Sequence, residues 1–252
     1  MASQFQRLPA ATVQIRCGDS SSPSTGSGFH LHSGEYVVTN AHVVEPALTG
    51  TAPVIVRTET GDEAEATVRT HSLPSRAGGH DYAVLEIQGE LNDDRIALQP
   101  RTTDVERGDE VLFAGYPHGI GDLLVHHAHV SGRGQTGFYI DGAVNGGNSG
   151  GPIVDTDTGE AAGLVTYKRY VEPDEFQRVI RELQDVRKAS AERTGFIHDR
   201  GVDMQKQARV LAEAGELLEQ ALKLNANTGI GIGKPIHHAA QAIDELTRDC
   251  VD

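Results

Sequence analysis

One heptapeptide constrains this chain more than any other stretch: Gly146-Gly147-Asn148-Ser149-Gly150-Gly151-Pro152. Glycine loses the most backbone freedom on folding, so glycines crowded around a serine are unfavourable in an ordinary helix or strand. A tight turn that aims several backbone N–H groups at one point, with a hydroxyl beside them, gives the run a purpose. That is the geometry of an oxyanion hole next to a nucleophile. On the heptapeptide alone, a flexible surface turn is the alternative.

The rest of the composition narrows the choice. The chain has 252 residues, is 38% hydrophobic and has a mean hydropathy of -0.35, which describes a soluble globular protein with a sizeable core. No window approaches the roughly 18 apolar residues of a membrane helix, and Met1 to Ala11 contains no apolar leader segment, so the expected compartment is the cytoplasm. Acidic side chains number 36 against 22 basic, a net charge of -14 that disfavours nucleic acid and anionic lipid as partners. Aromatics make up 5% and tryptophan is absent, which leaves little for base stacking. Cys17 and Cys250 stand at opposite ends and are expected to be free thiols.

Along the chain, short β-rich runs alternate with turn residues. Thr12–Arg16, Gly28–His32 and Tyr36–Thr39 (joined at Ser33-Gly34), Val54–Val56, Ala66–Val68 and Tyr82–Ile87 read as strands. Glu110–Ala114, Leu123–Val130, Gly137–Val144, Pro152–Val154 and Ala162–Tyr167 continue the series. Regularly spaced short strands with little helical period indicate an all-β barrel or sandwich. At Glu172 the pattern changes. Glu172-Pro173-Asp174-Glu175 is a helix start, and Phe176, Val179, Ile180, Leu183 and Val186 recur at helical spacing. A second helix is expected from about Val202 to Leu224, with Met204, Ala208, Leu211, Gly215, Leu218 and Leu222 forming a coiled-coil-like seam. Asn225 to Gly233 returns to glycine-rich β sequence, and Ile236–Arg248 is a last helix.

A serine hydroxyl becomes a good nucleophile when a base takes its proton, and the base needs a partner that orients it. His42, at the end of Val37-Val38-Thr39-Asn40-Ala41, and Asp81, at the mouth of the strand Tyr82–Ile87, are the upstream candidates. The order His, Asp, Ser is one of the known triad orders. Gly26-Ser27-Gly28-Phe29, Val38–Val44, Asp81–Ile87, Gly115-Tyr116-Pro117-His118-Gly119, Gly147–Pro152 and Gly159–Leu164 together resemble the trypsin-like (chymotrypsin-fold) serine proteases, most closely their HtrA/Deg branch.

The resemblance implies a mainly β protein of two six-stranded antiparallel β-barrels, without a cofactor or metal, cleaving protein or peptide substrates. It implies Ser149 as nucleophile, His42 as general base, Asp81 as its orienting partner, and the N–H groups of Gly147 and Ser149 as the oxyanion hole, with Asn148 shaping the turn. The segment Gly229–Ile236 and the helix after it resemble the closing strand and C-terminal helix of that protease domain. On that register 172–224 is an α-helical hairpin inserted into a single protease domain whose barrels occupy 10–171 and 225–252. Residues 237–252 follow the closing strand, so the peptide-binding PDZ domain usual in the branch is not expected. The hairpin is expected to regulate the site or to dock an activating protein partner, and relatives in the branch form homo-oligomers. The same register places Ala143 at the base of a specificity pocket, with Thr166, Ile230 and Ile232 near its walls, which suggests a preference for a small or medium apolar side chain. His126, His127 and His129 cluster on one strand and His237-His238 begin the last helix; both sets are expected to be ordinary polar residues, not metal ligands. A catalytically silent, peptide-binding or scaffolding module on the same fold is the alternative to an endopeptidase.

Overall fold

The computed structural model describes residues 3–19, 23–32, 34–50, 52–73, 79–91, 95–117, 120–168 and 229–249; between 169 and 228 it describes 181, 182, 185, 188, 198, 199, 202, 203, 209, 210 and 213–217. Residues 1–169 with 229–252 form one compact unit, and 170–228 form a second.

The first unit opens with a two-turn helix, α1 (Gln4–Ala11), and then builds a closed barrel from β1 (Thr12–Cys17), β2 (Ser24–Leu31), β3 (Tyr36–Thr39), β4 (Val54–Arg57), β5 (Glu63–Ser72) and β6 (Tyr82–Gln88). A 3₁₀ turn (Ala41–Val44) and a short helix, α2 (Glu45–Thr49), follow β3. The second closed barrel uses β7 (Glu110–Gly115), β8 (Leu124–Arg133), β9 (Phe138–Ile140), β10 (Pro152–Asp155), β11 (Ala161–Lys168) and, far along the chain, β14 (Gly231–Pro235). The strands within both barrels pair antiparallel. Helix α3 (His237–Asp249) ends this unit.

Strand alternation explains why so many strands read as continuous apolar runs. Val37, Ala83 and Leu85 point into the first barrel, while their neighbours Val38 and Val84 point outward into a core that also takes Phe29, Leu112, Leu164, Leu8 of α1 and Ile243 of α3. Val111, Phe113 and Val165 fill the second barrel with Phe138, Ile140 and Ile153, and their neighbours Leu112 and Leu164 face the shared core. Strands buried on both faces lose the polar-apolar alternation of a half-exposed sheet.

Several sequence expectations need revision. Gly137–Val144 is not one long strand: β9 is Phe138–Ile140, and the chain then turns toward Ser149. Helix α1 leaves no clear sequence signal, because Pro9 interrupts its pattern; Leu8 and Ala11, both buried in the shared core, hold it in place. In the second unit, Val202–Asp203 (β13) pairs with His198–Asp199 (β12), so helix does not begin at Val202. Gly201 lies between these strands in sequence, a residue that favours a short hairpin over helix continuation. Helix is described at Arg181, Glu182, Asp185 and Lys188, all exposed and all on one face by their spacing, and at Arg209, Val210 and 213–217, where Gly215 is buried. The remaining seam positions lie outside the described residues, as do the Glu172–Glu175 helix start, Ser33, His118, Gly119 and Cys250. Cys17 is buried and free, and burial raises its thiol pKa. No helix among the described residues is long and apolar enough to cross a membrane.

Phe138 fills the second barrel because two glycines leave it room. A Cβ at Gly233 would stand 2.6 Å from the ring, and one at Gly163 would stand 2.9 Å from it. Backbone that close cannot collapse into the void left by a smaller side chain. Phe138→Ala is therefore expected to lower unfolding free energy by about 3–5 kcal/mol, measurable by urea denaturation.

Candidate active site

Asp81 sits at the entrance of β6, 2% exposed, in the left-handed region at φ 54°. That conformation is uncommon for a residue with a Cβ and persists only where the surroundings hold it. Here they do. The His42 backbone N–H donates to Asp81 Oδ1 at 3.2 Å, His42 Nδ1 lies 2.9 Å from Oδ2, and Asn40 Nδ2 donates to the Asp81 carbonyl at 2.8 Å. The 3₁₀ turn after β3 makes this arrangement: it brings the His42 main chain and ring onto one carboxylate. The His42 side chain is 39% exposed, so the imidazole is anchored on one edge and open on the other.

Ser149 lies in the loop between β9 and β10. Gly147 has φ 97° and Gly150 has φ 84°, and a Cβ at Gly150 would stand 2.2 Å from both Ser27 O and Thr39 Oγ1. The heptapeptide thus meets the first barrel at a distance that only glycine permits. The N–H of Asn148 donates to Asn145 O at 3.1 Å, whereas the N–H groups of Gly147 and Ser149 have no hydrogen-bond partner among the described residues.

Asn40 and Thr166 link the three candidate residues, through the main-chain carbonyls of Asp81 and Thr166 and not from side chain to side chain. Ser149 Oγ donates to the Thr166 carbonyl at 2.8 Å; Asn40 Nδ2, already on Asp81, lies 3.4 Å from Thr166 Oγ1. Among the described residues no hydrogen bond links Ser149 to His42. The nucleophile candidate is therefore parked on a backbone carbonyl while the His42–Asp81 pair is already made.

Ser27 is the residue that sequence reasoning misses. On β2 its N–H donates to Ser149 O at 2.8 Å, its hydroxyl donates to Gly147 O at 2.7 Å, and that hydroxyl accepts from Tyr116 N at 3.0 Å. Its carbonyl accepts from Thr39 Oγ1 at 2.7 Å. The signal is present in Gly26-Ser27-Gly28, but a serine between glycines in a strand gives no hint of its partners. The residues assigned to the specificity pocket are spread over different environments: Ala143 is exposed, Thr166 is buried against Asn40, Ile230 is 37% exposed, and Ile232 lies half-buried on β14 opposite Tyr139. His127 and His129 share a face of β8, where they approach Glu110 and Asp141 at 3.4 Å each; His126 stacks on Phe113, and burial lowers its pKa. Among the described residues no group of three His, Cys, Asp or Glu side chains is arranged to hold a metal ion.

Residues 26–164 match the model of the trypsin-like peptidase domain. The chain belongs to that family. Its relatives are HtrA proteases: it is 31% identical to human serine protease HTRA3 over 182 residues, 64% of this chain and 38% of that protein. It is 35% identical to bovine "Serine protease HTRA2, mitochondrial" over 58% of this chain and 32% of that one, and 36% identical to a probable periplasmic DegP-like serine endoprotease of Brucella suis over 56% and 27%. The chain thus spans well under half the length of these relatives. Among solved structures, an HtrA-type protease, AlgW with tripeptide, superposes with a TM-score of 0.58 at 23% identity, covering 96% of this chain and 62% of that one. The active form of the Rv3671c protease from M. tuberculosis superposes at 0.55 with 26% identity over 66% and 74%. The two closed barrels are the trypsin-like fold.

In this trypsin-like site, Ser27→Ala removes a buried hydroxyl and strands Gly147 O and Tyr116 N. The expected cost is about 1–3 kcal/mol of stability, read as a shifted urea midpoint with an unchanged slope.

Proposed function

We propose that this chain is a serine endopeptidase in which Ser149 attacks the scissile carbonyl, His42 is the general base and then acid, and Asp81 orients the imidazole. The observation that carries the reading is the His42 Nδ1–Asp81 Oδ2 contact of 2.9 Å on a buried carboxylate, with Asn40 and Thr166 linking that pair to the Ser149 turn. With Nδ1–H held by Asp81, the other ring nitrogen is free to accept a proton. Turnover begins when the Ser149 side chain rotates off Thr166 O toward His42. His42 takes the hydroxyl proton as Oγ bonds to the carbonyl carbon, and the tetrahedral oxyanion is held by the N–H groups of Gly147 and Ser149. His42 then gives the proton to the departing amine, and water reverses the sequence to release the acyl group. Asn148, its own N–H committed to Asn145, fixes the turn and leaves the donating to its neighbours. A neutral hydrogen bond such as Ser149–Thr166 contributes about 0.5–1.5 kcal/mol net, a small barrier for bound substrate to overcome.

Substrates are proteins or peptides with a small or medium apolar residue at the scissile position. The segment 172–224 is an insertion that regulates the site or docks an activating partner, and the chain works as a homo-oligomer. The engagement of Ser149 with Thr166 favours a second reading, a latent or silent site. A fluorophosphonate probe separates the two: labelling of the native chain but not of Ser149→Ala supports the enzyme, and absence of labelling supports the silent module. On a cleaved peptide, Asp81→Asn is expected to lower kcat by about 10⁴-fold, the loss that the same exchange causes in the triad of trypsin by leaving the imidazole in the wrong tautomer. Deleting 172–224 is expected to change the labelling rate or the assembly state; no change in either removes the regulatory role.

A further inference from the structure

The 3₁₀ turn that carries His42 begins after Asn40, which stands in the N-cap position with φ -77° and ψ 146°. An asparagine there ordinarily accepts, through its side-chain oxygen, the backbone N–H two or three positions on. Two positions on is His42. Asn40 does not cap in this way: its side chain makes no capping hydrogen bond, and the His42 N–H goes instead to Asp81 Oδ1 at 3.2 Å. The Asn40 amide turns to donate Nδ2 to the Asp81 carbonyl at 2.8 Å, with Thr166 Oγ1 3.4 Å from the same nitrogen. The two residues have exchanged partners. Asp81 caps the turn, and the residue placed to cap it holds the Asp81 main chain.

The exchange costs stability. Asn40 is fully buried, and its Oδ1 has no hydrogen-bond partner among the described residues. The amide cannot flip to relieve this, because the Asp81 carbonyl only accepts. A buried acceptor without a donor opposes folding, and native chains keep few of them. The gain is at Asp81. The β3–β6 pairing ends at Thr39 opposite Ala83, and the Asn40 side chain adds one bond beyond it. That bond reaches the carbonyl of the residue held at φ 54°, whose backbone direction decides where its carboxylate points. Asn40 is itself fixed from the other barrel: a Cβ at Gly150, the residue after Ser149, would stand 2.9 Å from the Asn40 backbone nitrogen, so the nucleophile turn packs directly against it.

We propose that Asn40 is a positioning residue of the active site: by holding the Asp81 carbonyl, its amide directs the carboxylate onto the His42 N–H and Nδ1 and so keeps the imidazole in the Nδ1–H tautomer. The inference rests on the reading of His42, Asp81 and Ser149 as a triad. Among the described residues Asn40 makes no hydrogen bond to Ser149 or to the His42 ring, so it acts on the reaction through Asp81. Nε2 is able to take the Ser149 proton only while Nδ1 carries the hydrogen, and the hydrogen bond at Nδ1 sets that choice.

Two variants of the full chain separate this role from a merely structural one. Serine caps as well as asparagine, so Asn40→Ser keeps the turn, but its hydroxyl is one bond shorter and does not reach the Asp81 carbonyl. Asn40→Ala loses both functions. The tautomer of neutral His42 is read from its ring-nitrogen NMR shifts in histidine-labelled chain carrying Ser149→Ala, which cannot digest itself; kcat and KM are measured with Ser149 intact. The parent is expected to hold the Nδ1–H form. Both variants are expected to populate the Nε2–H form, with kcat lowered about 10–100-fold, the scale of a small misplacement in a catalytic site, and KM within about twofold. A parent already in the Nε2–H form, or an Asn40→Ser chain that keeps both the parent tautomer and the parent kcat, overturns the proposal. A parent that turns over no peptide counts against the triad reading alone, and the tautomer of the Asn40→Ser chain then decides whether Asn40 positions the ring.

Discussion

The structure depends first on a carboxylate buried where it should be costly. Asp81 is 2% exposed, and an ionised carboxylate taken out of water loses several kcal/mol unless donors replace the water. The donors arrive because of its backbone: at φ 54° the side chain turns back toward the 3₁₀ turn after β3, where His42 supplies both its N–H and its ring nitrogen. Asn40 binds the Asp81 carbonyl and so fixes the strained residue from the other side. Strain, burial and orientation of the imidazole are one arrangement.

The second barrel meets this arrangement through atoms too close for side chains. Gly150 lies against Ser27 and Thr39 of the first barrel, and Ser27 holds the main chain of the nucleophile turn at Gly147 and Ser149. The outer faces of both barrels share one apolar core with α1 and α3, so the two halves of the site are held by the same packing that closes the fold.

Part of this is legible in the sequence for a physical reason: positive-φ glycines are choices that backbone geometry forces, and Gly147 and Gly150 are readable in that way. His42, Asp81 and Ser149 are legible as a set in a known order, through their resemblance to the motifs of trypsin-like proteases. Ser27 and Thr166 are not, because their roles come from hydrogen bonds across 120 and 17 residues of chain, which no local spacing encodes. Helix α1 is hidden by Pro9 and depends on tertiary burial of Leu8 and Ala11. Val202–Asp203 reads as helix because a seven-residue seam can be extended backward by one apolar residue, and the single Gly201 before it is too weak a signal to stop that extension.

The carbonyl that accepts the Ser149 hydrogen bond is itself the product of an irregularity. β11 pairs Val165 with Gly233 and Tyr167 with Ile232, so Thr166 is the extra residue of a bulge. Bulges redirect a backbone group away from its ladder; here the Thr166 carbonyl turns to Ser149 while the hydroxyl approaches Asn40. The chain leaves β11 at Lys168 and returns as β14 at Gly231, the two strands that define this bulge. Residues 169–230 therefore connect, in sequence, the two strands whose register shift places the Thr166 carbonyl against Ser149.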